Sequence, residues 1–262
     1  MIATNTIRLE PHYRRAAFDA GLRRIGYTLV SDGAPRDTRD LLVIWNRQGE
    51  FERRATLWES QGGTVIVCEN GYLGRDAEDR QFYAISRGGH NGSGWFPDSA
   101  EDRFAMLGID LAPWRSGGDY VLVCGQRGIG SRLMASPPAW DTKTAVALKR
   151  ADIKVRVRPH PGRYPPATTL DADLAGASSC VIWSSASGVK ALTLGIPVAY
   201  TAPHWICAEA AGNRLDGVNK PLRDDDKRLA AMRHMASGQW AVAEIESGEP
   251  FARIMGQPGA SQ

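Results

Sequence analysis

Short apolar runs alternate along this chain with longer stretches in which apolar residues recur at helical spacing. The short runs are rich in Val, Ile and Leu and are bounded by Gly, Asp or Asn, which is typical of strands buried in a sheet. Alternation of such runs with amphipathic stretches indicates βα units around a parallel sheet. The predicted strands lie at residues 27–31, 40–45, 63–69, 82–86, 119–125, 154–159, 180–183 and 196–200.

The stretches between these runs predict helices that close on Gly or Asp. After Tyr200 the helical pattern returns over residues 223–255, with a break near Ser237 and Gly238. Residues 87–104 are too rich in Gly and polar side chains for either kind of element. They are predicted to form a long loop, a class of segment that often carries function. The predicted helices lie at residues 11–26, 49–63, 138–152 and 187–195.

A domain boundary is predicted at residues 108–119, where Pro113, Gly117 and Gly118 interrupt the periodicity before a new apolar strand. The chain of 262 residues has room for two α/β lobes of about 100 to 150 residues each. The predicted fold class is therefore α/β, with two Rossmann-like lobes and a cleft between them. The predicted parts are an amino-terminal lobe, a carboxy-terminal lobe and a set of terminal helices that pack back across both, at residues 1–115, 116–222 and 223–262.

Composition and charge narrow the class of protein. With 43% hydrophobic and 23% charged residues, the chain has the make-up of an ordinary globular protein. No stretch approaches the roughly eighteen apolar residues of a membrane span, and the amino terminus lacks the apolar region of a secretory signal, so we expect a cytoplasmic protein. The formal net charge of +3 fits a ligand that carries phosphate. Four cysteines without a CxxC pair, Cys68, Cys124, Cys180 and Cys207, are predicted to be buried, reduced thiols.

A serine-rich corner follows the predicted strand at residues 180–183. Ser184, Ser185 and Ser187 come between this strand and a helix that begins near Gly188. A helix amino terminus presents unpaired N–H groups and the positive end of its dipole, so hydroxyl groups at this corner suit a phosphate. The alternative is that Ser187 simply caps the helix, which needs no ligand.

Two further strand ends are predicted at the same edge of the sheet, where open α/β proteins bind their ligands. The strand at residues 154–159 ends in Arg-Pro-His-Pro, and His160, held between two prolines, is predicted to donate to a phosphate oxygen. Arg158 then lies near the crevice, although an arginine face on an edge strand is an alternative explanation. The strand at residues 119–125 ends in a glycine-bearing turn, which is predicted to cradle a diphosphate through backbone N–H groups and one guanidinium. The residues of this turn are Gln126, Arg127, Gly128 and Gly130.

Together, the glycine-bearing loop, the Arg-Pro-His-Pro sequence and the stretch CVIWSSASGVKALTLGIPVAY resemble the carboxy-terminal, nucleotide-binding half of GT-B glycosyltransferases. The likeness is greatest to the capsule-polysaccharide and Kdo-transferase-like group and covers residues 119–200. The whole chain, with VIVCENGYLGR and GGHNGSG, also resembles short glycosyltransferase-like proteins encoded by bacteriophages. The resemblance implies a nucleotide-sugar donor, expected to be a UDP-sugar, and no further cofactor.

The resemblance also assigns roles to residues of the second lobe. Many GT-B enzymes place a glutamate on the helix after the serine corner to bind ribose, and here the charged position is Lys190. Lys190 either neutralises phosphate or lies on a solvated face. The implied contacts to phosphate or sugar are His160, Ser184, Ser185 and Ser187, with Arg127 as a clamp on the diphosphate.

The amino-terminal lobe is then expected to supply the acceptor site and a base that removes the proton of the acceptor hydroxyl. The candidates are Glu69, at the carboxyl end of the strand at residues 63–69, and His90, in the long loop. The alternatives are a turn carboxylate that accepts backbone N–H groups and a solvent-exposed loop histidine. With no HExxH motif, no CxxC pair and no Asp-x-Asp motif expected between strands, a metal-dependent GT-A mechanism is disfavoured and no essential metal is predicted.

The leading interpretation is a metal-independent GT-B-type glycosyltransferase that moves a sugar from a nucleotide sugar to a hydroxyl acceptor. From the bacteriophage likeness the acceptor is a 5-hydroxymethylpyrimidine in duplex DNA, in the host cytoplasm, bound through phosphates and stacking. The alternatives are a capsule or lipopolysaccharide acceptor, a nucleotide-sugar 2-epimerase, and a non-catalytic nucleotide-sugar-binding protein. Arginine pairs and tryptophans of the first lobe favour DNA, namely the arginines at 14–15, 23–24 and 53–54 with Trp45, Trp58, Trp95 and Trp114. The alternative is that these arginines lie on solvated helix faces and that these tryptophans belong to the core.

Overall fold

The computed structural model describes residues 1–162 and 164–256 of the chain. Eleven strands and ten α-helices are present in these two ranges, with short 3-10 helices at Pro11–Tyr13 and Ala208–Ala210. The strands are β1 (Ile2–Asn5), β2 (Thr28–Val30), β3 (Leu41–Trp45), β4 (Thr64–Arg75), β5 (Gln81–Arg87), β6 (Tyr120–Cys124), β7 (Val155–Arg158), β8 (Ala177–Ile182), β9 (Val198–Tyr200), β10 (Gly212–Asn213) and β11 (Gln239–Trp240). The helices are α1 (Arg15–Arg24), α2 (Gly49–Ser60), α3 (Arg103–Met106), α4 (Trp140–Arg150), α5 (Leu170–Ala175), α6 (Ala186–Thr193), α7 (Asp216–Asn219), α8 (Asp225–Ser237), α9 (Val242–Ser247) and α10 (Glu249–Ile254).

The chain divides into two compact units. The first unit contains Met1–Arg103 together with the chain from Ala236 onward, and the second contains Phe104–Met235. The chain thus leaves the first unit after Arg103 and returns to it after Met235. The division into two lobes and a set of terminal helices, drawn from the sequence, stays a prediction. None of the helices in the described ranges combines the length and the apolar character that a membrane crossing requires.

The first unit is built on a six-stranded mixed sheet in the order β11-β5-β4-β3-β1-β2. Strands β2, β1, β3 and β4 run parallel, whereas β5 is antiparallel to β4 and β11 is antiparallel to β5. Residues 41–44 of β3 are fully buried on both faces of the sheet, which explains their continuous apolar run. Trp58 and Ala55 of α2 cover one face by packing on Leu42 and Ile44.

The second unit is built on a five-stranded sheet in the order β10-β9-β8-β6-β7, and all of its strands are parallel. The chain passes from β6 to β7 on one side and then crosses back to β8 on the other side of β6. Strand β6 therefore marks the point at which the strand order reverses, and a crevice opens at its carboxyl end in folds of this kind. Val121 and Val123 of β6 pack with Val181 of β8 and Trp140 of α4 in the core.

The α/β class and the eight predicted strands are confirmed, and three short strands were missed. Strand β1 carries small and polar residues rather than an apolar run, and β10 and β11 are two residues long. The terminal helical stretch does break at Gly238, where β11 intervenes before α9. One prediction was wrong: Glu69 does not end a strand, because β4 continues to Arg75.

Candidate functional site

Three strand ends of the second unit surround a pocket of about 220 Å³ at the carboxyl edge of the parallel sheet. The pocket lies at the end of β6, between the ends of β7 and β8, where the strand order reverses. Its lining residues are Cys124, Gly125, Arg158, Pro159, His160, Pro161, Leu170, Ser185 and Ser187.

Gly125 brings the ends of β6 and β7 together at the floor of this pocket. Its N–H donates to the carbonyl of Arg158 at 2.8 Å. A Cβ atom at position 125 would lie 2.7 Å from Oδ2 of Asp141, closer than real Cβ contacts come. A side chain at position 125 would therefore displace the Asp141 carboxylate, whereas the backbone atoms of Arg158 and His160 would stay at ordinary contact distances of 3.4 and 3.5 Å.

His160 is fixed by its own turn. Pro159 and Pro161 restrict the backbone on both sides, and Nδ1 of His160 accepts the N–H of Gly162 at 2.9 Å. In the neutral imidazole the proton then sits on Nε2, so the ring offers an N–H donor. Burial, followed by the charge of Arg127, lowers the pKa of His160, which favours this neutral form.

Arg127 and Gln126 connect the β6 turn to the other two strand ends. A Cβ atom on Gly162 would lie 3.2 Å from Cδ of Arg127 and 3.2 Å from Nδ1 of His160, so the two predicted anion contacts are neighbours. The side-chain oxygen of Gln126 accepts the N–H of Ser184 at 2.6 Å. Gln126 thus holds the turn against the serine corner, and the positive φ of 70° at Gly128 suits glycine there.

The serine corner combines both interpretations drawn from the sequence. Ser185, rather than Ser187, is the N-cap residue of α6, and its Oγ accepts the N–H of Ser187 at 3.2 Å. The two hydroxyl oxygens lie 2.9 Å apart, and both residues line the pocket. Capping therefore places two hydroxyl groups at a helix amino terminus beside the crevice. Gly188 permits tight packing, since a Cβ there would lie 2.6 Å from Cδ1 of Ile182.

The predicted donor contacts fall into two groups. Lys190 forms an ion pair with the exposed carboxylate of Asp171 at 3.3 Å, as expected on a solvated helix face. Among the described residues predicted to contact the donor, Arg158, His160, Ser185 and Ser187 line the pocket. The others lie outside its lining, namely Gln126, Arg127, Gly128, Ser184 and Lys190.

Sequence reasoning missed several residues that build this pocket. Cys124 and Leu170 line it, and Asp173 binds the side chain of Arg158 through a carboxylate oxygen. The position of Cys124 at the end of an apolar strand was a usable signal for a residue at the sheet edge. Nothing in the sequence distinguishes Asp173 from Asp171, the other acidic residue of α5, because its importance depends on tertiary contacts. All four cysteines are buried, as predicted.

The two candidate bases meet in the first unit. Oε1 of Glu69 accepts the hydroxyl of Tyr72 at 2.8 Å, and the backbone N–H of Asn91 also donates to this carboxylate. Burial raises the pKa of Glu69 and outweighs the lowering caused by the charge of His90 and by these hydrogen bonds. His90 itself is 7% exposed, so it is not a solvent-exposed loop residue.

The elements around this cluster explain its position. Strand β4 carries Glu69, and its register shifts between Asn70 and Arg75, which leaves Tyr72 at an irregular part of the strand. The side-chain oxygen of Gln239 accepts the N–H of Tyr72 at 3.1 Å and so holds this part of β4 in place. The loop that carries His90 is closed by a bridge between Arg87 and Trp95.

The described residues contain no group of three or more His, Cys, Asp and Glu side chains arranged to hold a metal ion. The expectation that no Asp-x-Asp motif lies between strands was wrong, because Asp171 and Asp173 have this spacing between β7 and β8, but their carboxylates have different partners. Asp171 pairs with Lys190, and Asp173 pairs with Arg156 and Arg158.

The structure is similar to two solved Kdo transferases. It matches KpsC, beta Kdo 2,7 transferase, from Thermosulfurimonas dismutans with a TM-score of 0.55 and 14% identity over 88% of this chain and 89% of that chain. KpsC, beta Kdo 2,4 transferase, from the same organism matches with a TM-score of 0.55 and 13% identity over 90% of this chain and 89% of that chain. Neither a family model nor a curated protein sequence matches the chain. At these identities the likeness shows a shared fold: the chain has the fold of these two Kdo transferases.

Proposed function

We propose that this protein is a GT-B-type glycosyltransferase that moves a sugar from a nucleotide sugar to a hydroxyl group of an acceptor without a metal ion. The observation that carries the proposal is the pocket at the end of β6, where His160, Arg158, Ser185 and Ser187 converge. Open α/β sheets bind ligands at this position, and the chain shares its fold with two Kdo transferases.

The chemistry of the pocket suits the diphosphate of a donor such as a UDP-sugar. The Nε2–H group of His160 and the hydroxyl of Ser185 are hydrogen-bond donors, and the hydroxyl of Ser187 donates to Oγ of Ser185. Arg158 and the adjacent Arg127 carry positive charge. Bond cleavage at the anomeric carbon leaves negative charge on the departing phosphate oxygens. Donors and charges fixed in advance around such oxygens lower the barrier because they need no reorganisation as charge develops.

For the base we propose Glu69, with His90 as its electrostatic partner. A base works best when its pKa lies near the working pH, and burial moves the pKa of Glu69 upward from the ordinary carboxyl range. The hydroxyl of Tyr72 and the N–H of Asn91 orient the carboxylate, so that one oxygen lone pair can accept the acceptor proton.

For the acceptor we propose a glycan hydroxyl rather than DNA. Two of the arginines that suggested phosphate binding are occupied by acidic neighbours: Arg53 pairs with Glu50, and Arg54 pairs with Asp32. Trp58 is buried in the core at 3% exposure, which removes it from any stacking surface. The test compares an oligosaccharide that ends in an acidic sugar with hydroxymethylated duplex DNA, so that it can decide between the two acceptors.

The first test is a thermal-shift panel of UDP, GDP, CMP, ADP and dTDP and their sugars, with the wild type and His160→Ala. A ligand at about 100 times its Kd stabilises the native state by about 2.7 kcal/mol. We expect one nucleotide to stabilise the wild type and to lose most of this effect in His160→Ala. The control is His234→Ala, which replaces an exposed histidine on α8 and should behave as the wild type. Absence of any shift in the wild type contradicts the proposal.

Activity then follows with the nucleotide that binds. Release of the nucleotide product is measured with each acceptor, with and without a chelator. We expect release to depend on the oligosaccharide acceptor and to persist with the chelator. Release with hydroxymethylated DNA alone would move the acceptor assignment to DNA, and complete loss with the chelator would contradict the metal-independent reaction.

A further inference from the structure

A buried carboxylate, that of Asp173, contacts Arg158, one of the residues that line the pocket. Asp173 is 2% exposed, and its Oδ1 accepts the hydroxyl of Thr168 at 2.7 Å and a guanidinium N–H of Arg156 at 2.6 Å. Its other oxygen, Oδ2, accepts an N–H of Arg158, which also donates to the carbonyl of Thr168 at 2.7 Å. One carboxylate therefore holds two guanidinium groups and one hydroxyl.

The sequence of β7 produces this arrangement. In Val-Arg-Val-Arg the two arginines share one face of the strand, and that face lies against Asp173. Tyr120 secures the group from the next strand, because its hydroxyl donates to the carbonyl of Asp173 at 2.9 Å and its ring lies 5.5 Å from the guanidinium of Arg156. The side chain of Arg156 is 41% exposed and that of Arg158 is 12% exposed, so Arg158 is the inner of the two.

The charges in this network do not cancel. Burial alone raises the pKa of Asp173, but the hydrogen bonds from Thr168 and Arg158 and the charges of both arginines outweigh it and lower the pKa. The carboxylate is thus ionised at neutral pH, and two positive charges face one negative charge. The remaining positive charge lies at the edge of the pocket, since Arg158 is a lining residue.

We propose that Asp173, together with Thr168, is a positioning residue that presents the guanidinium of Arg158 to a phosphate anion in the pocket. The inference rests on the proposed function for the identity of the anion as a donor diphosphate. A guanidinium binds phosphate best when its planar fork is held in one orientation, because less side-chain freedom is then lost on binding. The contacts of Asp173 and Thr168 supply this orientation before the ligand arrives.

Removal of the Asp173 charge separates positioning from simple electrostatics, because the two effects have opposite signs. Asp173→Asn makes the pocket edge more positive, so a purely electrostatic role predicts tighter binding of an anion. A positioning role predicts weaker binding, by about tenfold or about 1.4 kcal/mol, because the guanidinium of Arg158 loses a charged hydrogen bond that fixes its orientation. The probe is inorganic pyrophosphate, with its Kd measured by calorimetry.

The charge-matched control is Asp152→Asn. Asp152 is exposed, precedes β7 at the opposite edge of the sheet, and has a positive φ of 60° that Asn tolerates. We expect its Kd for pyrophosphate to stay within about twofold of the wild type, since solvent and salt screen a charge at that distance.

A second pair of variants keeps the test valid if Asp173→Asn does not fold. Thr168→Val preserves shape but removes the hydroxyl that donates to Asp173, whereas Thr168→Ser keeps it. We expect weaker pyrophosphate binding in Thr168→Val and recovery in Thr168→Ser, at equal thermal stability. Equal or tighter binding in Asp173→Asn or Thr168→Val, or no binding of pyrophosphate to the wild type, overturns the inference.

The outcome is distinguishable from that of the proposed function. If pyrophosphate binds and these variants weaken it while none of the five nucleotides binds, the positioning role stands and the nucleotide-sugar proposal fails. If a nucleotide binds the wild type and Asp173→Asn equally well, the proposed function stands and the positioning role is overturned.

Discussion

The two sheets use the ends of their strands differently. In the second unit every strand is parallel, so the ends of β6, β7 and β8 meet at one edge and form an open pocket. In the first unit β4 turns back into the antiparallel β5, and Glu69 lies within the strand rather than at its end. The parallel sheet collects polar loops at one edge, whereas the hairpin of the first unit places the Glu69 carboxylate at a half-buried position within a strand.

Burial therefore acts on both candidate sites and favours the uncharged form in each. It lowers the pKa of His160 and raises the pKa of Glu69. An uncharged histidine still donates through Nε2–H, so the second unit is suited to binding. A carboxyl with a raised pKa accepts a proton more readily, so the first unit is suited to proton transfer.

The largest expected effect is that of Glu69→Gln on turnover. We expect kcat to fall by about 100-fold or more, because a general base contributes at least that much, with nucleotide affinity unchanged. Steady-state release of the nucleotide product measures kcat, and in the wild type it should rise as pH increases through a pKa above the ordinary carboxyl range. Glu50→Gln, at an exposed carboxylate paired with Arg53, is the control. Near-normal kcat in Glu69→Gln contradicts the proposal that the second unit binds the donor while Glu69 of the first unit acts as the base.

The next effect concerns packing behind the serine corner. Gly188→Ala places a Cβ 2.6 Å from Cδ1 of Ile182 and 2.8 Å from the ring of Trp205. We expect the free energy of unfolding to fall by about 1–3 kcal/mol, the usual cost of overpacking. Gly117→Ala, where a Cβ meets nothing within 4 Å, should leave it nearly unchanged. Chemical denaturation of both variants checks this, and equal stability would show that α6 moves freely against β8.

A smaller effect is expected when a carboxylate that stabilises the folded protein against acid is replaced, and each unit contains one such carboxylate. The pKa values of Asp76 and Asp173 are lowered, because hydrogen bonds and charges from Arg80 and from Thr168 and Arg158 outweigh burial. Each folded-state pKa lies below the unfolded one, so the stabilisation is present above about pH 4 and is lost as pH falls through the folded pKa. We expect Asp76→Asn and Asp173→Asn to lower the free energy of unfolding by about 1 kcal/mol at neutral pH.

The acid-stability measurement is denaturant unfolding between neutral pH and the acid limit. The difference between each variant and the wild type should shrink as the pH is lowered. A difference that stays constant with pH would show that the loss comes from packing and not from the charge.

The smallest effect is expected at the surface of the first unit. Arg53 and Arg54 pair with Glu50 and Asp32, and three of these four side chains are more than two-thirds exposed. Replacement of both arginines by alanine should change stability by less than about 1 kcal/mol, as exposed ion pairs usually do. Binding of duplex DNA, measured by fluorescence anisotropy, should change by less than about twofold. A large loss of DNA affinity would restore the DNA acceptor.

Much of the second unit was readable from the sequence because its signals are local. An apolar run followed by Gly, Pro or Ser marks the end of a buried strand, and His160, Ser185 and Ser187 follow such runs. Asp173 could not be identified from the sequence, because its role depends on how α5 packs against the side chains of β7. The likeness to the Kdo-transferase-like group was predicted from these motifs, and it is confirmed at the level of the fold, while the bacteriophage likeness and the roles of the site residues stay predictions.

The first unit was harder to read where local and tertiary signals conflict. The strand was expected to end at Glu69, where its apolar run stops, and the Asn70-Gly71 dipeptide that follows is itself typical of a hairpin turn. The chain instead continues through an irregular register and turns at Asp76, whose carboxylate accepts the N–H of Arg80 at 2.8 Å. The pairing of β11 with β5 involves residues far apart in sequence, which no local pattern reveals.

The return of the chain to the first unit sets an order of assembly during synthesis. Gln239, which accepts the N–H groups of Tyr72 and Leu73, emerges from the ribosome only after the whole of Phe104–Met235. The pocket of the second unit needs no residue beyond that segment, and domains generally fold as units while the chain is made. We therefore expect the nascent protein to complete the pocket of the second unit before it can complete the support of the Glu69 carboxylate.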